Sequence, residues 1–199
     1  MENTWNNKVL SDVLGADSGA ALRVKQDALV VLGVVSLAVA AKISVPMWPV
    51  PITMGTFAVL TIGAAYGARL GLATILAYMI IGALGFDVFA GSSAEAFGLT
   101  YMMGGTGGYL VGYVLATVAL GALAQRGWDR SVLWMALAML VGNVLIYVPG
   151  LLWLGQLYGW DKPILAWGLT PFLLGDAIKL ALAAAILPAA WTLVGRARG

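Results

Sequence analysis

The sequence predicts an all-α integral membrane protein with six transmembrane helices. The prediction depends on three observations: the composition, the spacing of the apolar segments and the placement of the basic residues. Of the 199 residues, 61% are hydrophobic and 10% are charged, whereas a soluble domain has about 25% charged residues. Because a soluble fold of this size cannot bury so much apolar surface, we expect the lipid bilayer to act as the solvent.

Six apolar segments follow one another along the chain, separated by polar stretches. We expect helices at about residues 28–41, 53–66, 70–84, 107–123, 132–154 and 169–194. The second and third segments are short for a full membrane span, so we expect one or both of them to tilt or to end below the surface. Residues 1–27 are predicted to be a cytoplasmic N-terminal segment, and residues 28–199 to be one six-helix domain that binds its substrate.

Basic residues indicate the orientation of the six helices. If there are six spans, the basic residues near the helix ends fall mainly on one side of the membrane: Arg23, Lys25, Arg69, Arg126, Arg130, Arg196 and Arg198. Cytoplasmic loops of membrane proteins carry an excess of lysine and arginine. The sequence therefore predicts a multi-pass protein of the cell membrane with both termini in the cytoplasm.

Missing residue types exclude several functions. The chain has no cysteine and no histidine, which excludes thiolate metal sites, Ser–His dyads and histidine ligation of zinc or haem. The net charge is +2 and the basic residues form no run, so we expect no nucleic-acid partner. The sequence predicts neither an enzyme nor a protein with a cofactor, and favours capture of a small polar solute.

Two ionisable residues lie inside the predicted sixth helix. Asp176 and Lys179 are spaced i, i+3, so they share one helix face roughly 10–15 Å from the outer start of the helix. A charge at the bilayer centre costs about 2.5–3.5 kcal/mol on insertion scales, so such residues are expected to face the protein interior. We expect Lys179 to bind a carboxylate and Asp176 to accept hydrogen bonds from N–H donors. The alternative is a self-satisfied pair that only packs the bundle.

The predicted fifth helix offers further polar groups. Asn143 and Tyr147 are spaced i, i+4 and share a face with Gly150. Pro149 should kink this helix and free a carbonyl group near Leu145. Beside Asp176 and Lys179, we expect the face to form a hydrogen-bonding wall of the site, although an intramembrane asparagine can also serve only to join helices.

Unusual residues also gather at the outer side. Three prolines within residues 46–51 exclude a helix there and indicate either a rigid lid or a stiff loop that holds Trp48 at the membrane interface. The glycine cluster at residues 104–108 matches no nucleotide motif and indicates either a helix that starts at Gly107 or tight packing of helices through small residues. The candidate ligand contacts on this side are Trp48, Phe89, Ser92 and Tyr109.

Small residues form a stripe on the first predicted helix. Gly33, Ser36 and Ala40 lie on one face, which permits close approach of another helix. The stripe either packs inside the protein or is a docking face for a separate membrane subunit.

Three segments together resemble the BioY family, the biotin-binding substrate (S) components of energy-coupling factor (ECF) vitamin transporters. They are residues 49–57, residues 104–112 and residues 171–179, and the last contains Asp-x-x-Lys in a Pro-Phe-x-x-Gly setting. The family's glycine run usually reads Gly-Pro-Thr-Gly-Gly-Tyr, and this chain has Gly105 at the proline position. That difference should loosen the loop without removing a ligand group.

The resemblance implies a six-helix S-component fold with an outward-facing site for biotin. Biotin offers a carboxylate and ureido N–H groups, but the sequence leaves open which end meets Lys179 and whether Asp176 mainly orients that lysine. The resemblance also implies partners, namely an ECF transmembrane coupling protein and ATPase subunits. The sequence leaves open whether the protein instead works alone or as a homo-oligomer. The alternative function is a proton-coupled secondary transporter of another small carboxylate-bearing vitamin, in which Asp176 titrates.

Overall fold

The computed structural model describes residues 7–91 and 97–198, with side chains up to residue 195. Its helices are α1 (Leu10–Val13), α2 (Gly19–Lys42), α3 (Gly55–Ala83), α4 (Gly98–Met102), α5 (Gly107–Gln125), α6 (Val132–Tyr158), α7 (Ile164–Gly168) and α8 (Leu173–Arg198). Two short strands, β1 (Ser44–Val45) and β2 (Ile52–Thr53), pair antiparallel. Single 3-10 turns, Trp128–Arg130 and Thr170–Phe172, precede α6 and α8.

The predicted all-α membrane fold is confirmed. Within the described residues, five helices are long and apolar enough to cross a membrane: α2, α3, α5, α6 and the stretch Ile164–Gly195. The count of six spans, the orientation of the termini and the division at residue 27 stay predictions. Helix α2 starts at Gly19, inside the segment predicted to be polar and non-membrane, because residues 19–27 contain nothing that breaks a helix.

Helix α3 contains both segments that were predicted as the second and third helices. Gly67 interrupts it with φ 78° and ψ 172°, a conformation that only glycine adopts readily. A Cβ placed on Gly71 would lie 3.4 Å from the Cα of Gly63, although eight residues of continuous helix span about 12 Å. The chain therefore turns back at Gly67, and α3 is a pair of antiparallel helical arms, residues 55–66 and 68–83.

Glycines let α5 pack closely against both arms of α3 and against α6. A Cβ on Gly121 would lie 2.2 Å from the backbone nitrogen of Ala68, and one on Gly108 would lie 2.3 Å from the carbonyl oxygen of Pro149. A Cβ on Gly112 would come within 2.6 Å of the Cα of Ile146. Helix association in lipid depends on close packing of small residues because lipid tails are as apolar as the side chains. Helix α5, which starts at Gly107 as predicted, is therefore the central helix of the bundle.

A buried carboxylate joins the α5–α6 connection to the C-terminal part of α8. Asp129 is fully buried, and its Oδ2 accepts a hydrogen bond from Nε1 of Trp191. The guanidinium of Arg130 lies 4.5 Å from the centre of the Trp191 ring and donates to the carbonyl oxygen of Lys8 at 3.0 Å. Burial raises the pKa of Asp129 from 3.8 to about 6, although the Trp191 hydrogen bond and the Arg130 charge lower it in part.

The pKa of Asp129 predicts how the stability of the protein depends on pH. Because the folded state favours the protonated form of Asp129, the contribution of this group to the free energy of unfolding should be highest below pH 4. It should fall by about 3 kcal/mol as the pH rises from about 4 to about 6. An Asp129→Asn variant, which keeps an acceptor for Trp191, should lack this component in thermal unfolding followed between pH 4 and pH 8. Identical pH profiles for the two proteins would contradict the raised pKa.

Candidate ligand-binding site

A cavity opens between the proline loop, both arms of α3, α5, α6 and α8. It contains about 670 Å³ of space, which includes open solvent at its mouth. Its walls are mainly apolar and aromatic, with a few hydroxyl groups and one lysine. The residues that line it include Val50, Pro51, Thr53, Thr56, Tyr78, Phe89, Tyr101, Tyr109, Tyr113, Tyr147, Phe172 and Lys179.

Lys179 and Asp176 form the charged part of the site. Lys179 Nζ donates to Asp176 Oδ1 at 3.0 Å and to Thr56 Oγ1 at 2.9 Å. The second carboxylate oxygen of Asp176 accepts a hydrogen bond from the Tyr147 hydroxyl. Asp176 and Lys179 are only 5% and 6% exposed, and Lys179 is the only lysine or arginine that lines the cavity in the described residues. The pair is neutral as a unit, and Asp176 holds both Lys179 and Tyr147 in place.

Aromatic rings surround this pair and the rest of the cavity. Tyr147 lies edge-on to Tyr109 and to Phe172, with ring centres 6.3 Å apart in both pairs. The Tyr109 hydroxyl donates to the carbonyl oxygen of Gly168 at 2.7 Å, which connects α5 to α7. Rings held in this way give a flat apolar ligand a firm surface to pack against.

Phe89 forms the opposite wall with Tyr101. Their rings stack with centres 5.0 Å apart and planes 11° apart, and a Cβ on Gly82 would lie 2.1 Å from the Phe89 ring. Lys42 Nζ donates to the carbonyl oxygen of Phe89 at 2.8 Å and to Asp87 Oδ1 at 2.5 Å. The C-terminal end of α2 therefore anchors the segment that carries Phe89.

The structure brings four of the eight residues predicted to bind ligand to the cavity wall: Lys179, Tyr147, Tyr109 and Phe89. Asp176 lies directly behind Lys179. Asn143 is half-buried one helical turn from Tyr147 and does not line the cavity, to which α6 contributes Ile146 and Tyr147. Ser92 lies outside the described residues.

Trp48 lies at the outer surface instead of in the cavity. It is 67% exposed, and its ring makes edge contacts with Tyr158 and Trp167 at centre distances of 5.4 and 5.0 Å. The hairpin formed by β1 and β2 closes the proline loop. Val50 and Pro51, which follow Trp48, are the residues of this loop that reach the cavity wall.

The small-residue stripe on α2 is divided between two environments. Gly33 faces α3, where a Cβ would lie 2.5 Å from Thr74 Cγ2, and Ala40 is buried. Ser36 is exposed and its hydroxyl donates to the carbonyl oxygen of Leu32 at 2.8 Å. Gly33 thus packs inside the chain, and Ser36 remains on the outer face of the helix.

Sequence reasoning missed several residues of the wall. Thr56 contacts Lys179 although the two are 123 residues apart, and Tyr78, Tyr101 and Tyr113 line the cavity from three separate helices. Thr56 lies in one of the three segments that carry the family resemblance, which is the only signal that pointed to it. The tyrosines could not be distinguished from residues that pack against neighbouring helices.

Comparison with known proteins gives a consistent result. A model described as the BioY family matches residues 12–196. The chain is 38% identical over 165 residues to "Probable biotin transporter BioY" of Pyrococcus horikoshii, an alignment that covers 83% of this chain and 95% of that protein. It is 33% identical over 150 residues to "Biotin transporter BioY" of Thermotoga maritima, covering 75% and 86% of the two chains.

One solved structure has a similar fold. It is described as the crystal structure of "the S-component for biotin from an ECF-type ABC transporter", and it matches 86% of this chain and 93% of its own with a TM-score of 0.70. At 19% identity this similarity concerns the fold.

Proposed function

The chain belongs to the BioY family, a family of transporters and not of enzymes, and on this basis we propose that it captures biotin and carries it across the cell membrane. The observation that carries the proposal is the neutral Lys179–Asp176 pair buried at the wall of an aromatic cavity. Relatives named as biotin transporters support the choice of ligand. Biotin combines a polar ureido ring with an apolar ring and tail, which suits a cavity with a few hydrogen-bonding groups and aromatic walls.

Charge balance favours the ureido ring as the group that meets Lys179. The lysine already has a carboxylate partner 3.0 Å away, so a second carboxylate would leave an uncompensated negative charge among buried groups. A neutral ureido group avoids this problem, because its carbonyl oxygen accepts from Lys179 and an N–H group can donate to Thr56 Oγ1, which lines the cavity. Of the two pairings that the sequence left open, we propose this one.

The carboxylate tail then points toward the mouth of the cavity. A vestibule between the proline loop and residues 100–106 adjoins the cavity and shares four lining residues with it: Pro51, Ala90, Tyr101 and Thr106. In the part of the chain that is described, no charged side chain lines this vestibule. A carboxylate there remains near water and needs no buried cation.

Titration with biotin and with its primary amide tests this orientation. Because the tail lies in the vestibule, the amide should bind with a dissociation constant within about tenfold of that of biotin, that is, within about 1.4 kcal/mol. The measurement is isothermal titration calorimetry on the purified protein. A loss of more than 100-fold for the amide would instead assign the carboxylate to Lys179. An analogue methylated on a ureido nitrogen is the matched comparison and should show the larger loss.

We propose that the bundle crosses the membrane six times with both termini in the cytoplasm. The antiparallel arms of α3 supply two of the six crossings, although each is short. The reversal at Gly67 lies near Arg69, and Arg126 and Arg130 follow α5, so these residues share one end of the bundle with the start of α2. That distribution agrees with the excess of basic residues in cytoplasmic loops.

The energy for uptake comes from partner chains in this proposal. The sequence has no P-loop motif, so ATP-driven transport requires a separate ECF coupling protein and ATPase subunits. The exposed face of α2 around Ser36 is the proposed docking surface for the coupling protein. Accumulation of labelled biotin in cells that lack ATPase subunits would show instead that the chain works alone or as a homo-oligomer.

A further inference from the structure

A second pocket lies at the opposite end of the bundle from the biotin cavity. It contains about 790 Å³ of open space and is bounded by α1, α2, the reversal of α3 and the end of α5. Its polar residues include Ser11, Asp12, Lys25, Gln26, Tyr66, Arg69 and Gln125. None of these contributes to the proposed capture of biotin.

Two basic side chains give this pocket its charge. Lys25 is half-buried, and its Nζ donates to the carbonyl oxygens of Ser11 and Leu14 at 3.0 and 3.1 Å, which leaves one of its three donors available. Arg69 is exposed and makes no ion pair with the described residues. Asp12 is the one acidic lining residue, and its Oδ2 accepts from the backbone N–H of Val9 at 3.1 Å. The lining therefore has a net charge of +1, from two basic residues and one acidic residue.

The pocket changes from polar to apolar with depth. Leu29 lies one helical turn beyond Lys25 on α2, and Ala73 lies one turn beyond Arg69 on the second arm of α3, each about 6 Å deeper toward the membrane centre. Leu70 lies beside Arg69 on the same arm. A basic mouth above a mainly apolar interior fits an amphiphile with an anionic head group.

We propose that this pocket binds the phosphate group of an anionic phospholipid. Arg69 offers a planar pair of donors that suits phosphate oxygens, and Lys25 adds a charge and a donor at the same mouth. The glycerol and the first carbons of the acyl chains lie along Leu29, Leu70 and Ala73. Basic pockets between transmembrane helices are a known type of site for anionic lipid head groups. Because Lys25 also holds the end of α1, the bound lipid joins α1, α2 and α3.

Lipid titration of the delipidated, detergent-purified protein tests the proposal. Dioleoylphosphatidylglycerol should raise the apparent unfolding temperature, and it should reach half of its effect at a concentration at least tenfold below that of dioleoylphosphatidylcholine. Equal responses to the two lipids would overturn the proposal without the need for any variant. Inorganic phosphate at the same concentrations should have no effect, and a matching effect would identify a free anion site instead of a lipid site.

The variants Arg69→Gln and Arg126→Gln form a matched pair. Both residues are exposed arginines at the same end of the bundle, but only Arg69 lines the pocket. Arg69→Gln should raise the half-saturating phosphatidylglycerol concentration about fivefold, as expected for the loss of one basic group near a lipid surface, and Arg69→Lys should recover part of this loss. Arg126→Gln should change the half-saturating phosphatidylglycerol concentration less than twofold. Equal effects of the two glutamine variants would mean that the lipid recognises the overall charge of this end and not the pocket.

Discussion

Replacing Lys179 with methionine should weaken biotin binding at least 100-fold. The substitution removes the only lysine or arginine that lines the cavity among the described residues and leaves Asp176 buried without its ion-pair partner. Breaking a buried pair by removing one partner should lower the free energy of unfolding by about 3–5 kcal/mol. Loss of the hydrogen bond from the charged lysine to biotin accounts for the lower affinity, because such bonds contribute about 1.5–3 kcal/mol and 100-fold corresponds to about 2.7 kcal/mol. Titration calorimetry of the purified variant measures the loss of affinity, and thermal unfolding measures the loss of stability.

Lys162→Met is the control for this substitution. Lys162 also pairs with an aspartate, Asp161, at 2.9 Å, but both side chains are exposed, and exposed pairs contribute about 0–1 kcal/mol. The Lys162→Met variant should therefore bind biotin with the affinity of the wild-type protein.

A double variant separates folding from binding at the same site. Asp176→Asn combined with Lys179→Met leaves no unpaired buried charge, so the bundle should recover most of the stability lost by Lys179→Met while biotin binding stays lost. Unchanged biotin affinity in both Lys179→Met and Asp176→Asn would exclude the pair from the binding site.

Replacing Gly121 with alanine should prevent the bundle from folding. The new Cβ would lie 2.2 Å from the nitrogen and 2.5 Å from the Cα of Ala68, and these backbone atoms belong to the reversal of α3 and cannot rotate away as a side chain can. Overpacking of a close helix contact typically costs about 1–3 kcal/mol and sometimes more, and here the contact is between backbones. Size-exclusion chromatography of the purified variant should show aggregated protein.

Gly195→Ala is the matched control because, apart from its chain neighbours and the backbone of its own helix, a Cβ there has no atom of the described residues within 4 Å. It should be neutral or should stabilise the protein by about 1 kcal/mol, since alanine is the better helix former. Equal behaviour of the two alanine variants would contradict the close packing of α5 on α3.

The sequence was sufficient to predict the fold class and the charged part of the site, because both depend on local patterns. Long apolar segments predict membrane helices, and two charges three residues apart inside one of them predict a buried pair on one face. The start of α5 at Gly107 followed from the glycine cluster in the same way. Such features are visible in a window of a few residues.

The features that sequence missed depend on contacts between distant segments. The hydrogen bond from Lys179 to Thr56 spans 123 residues. The chain reverses at Gly67, which is one of 26 glycines in the sequence. Its positive φ is visible only in the structure. Asn143 shares a helix face with Tyr147, but a rotation of a few tens of degrees decides which of them reaches a cavity, and hydropathy alone does not determine that rotation.

Biotin titration of the purified wild-type chain, without any partner subunit, most directly tests whether this cavity captures the vitamin. We predict a single saturable site with one biotin per chain and loss of that binding in Lys179→Met but not in Lys162→Met. Absence of saturable binding by folded, monodisperse protein, or equal binding by the two lysine variants, would contradict the proposed site.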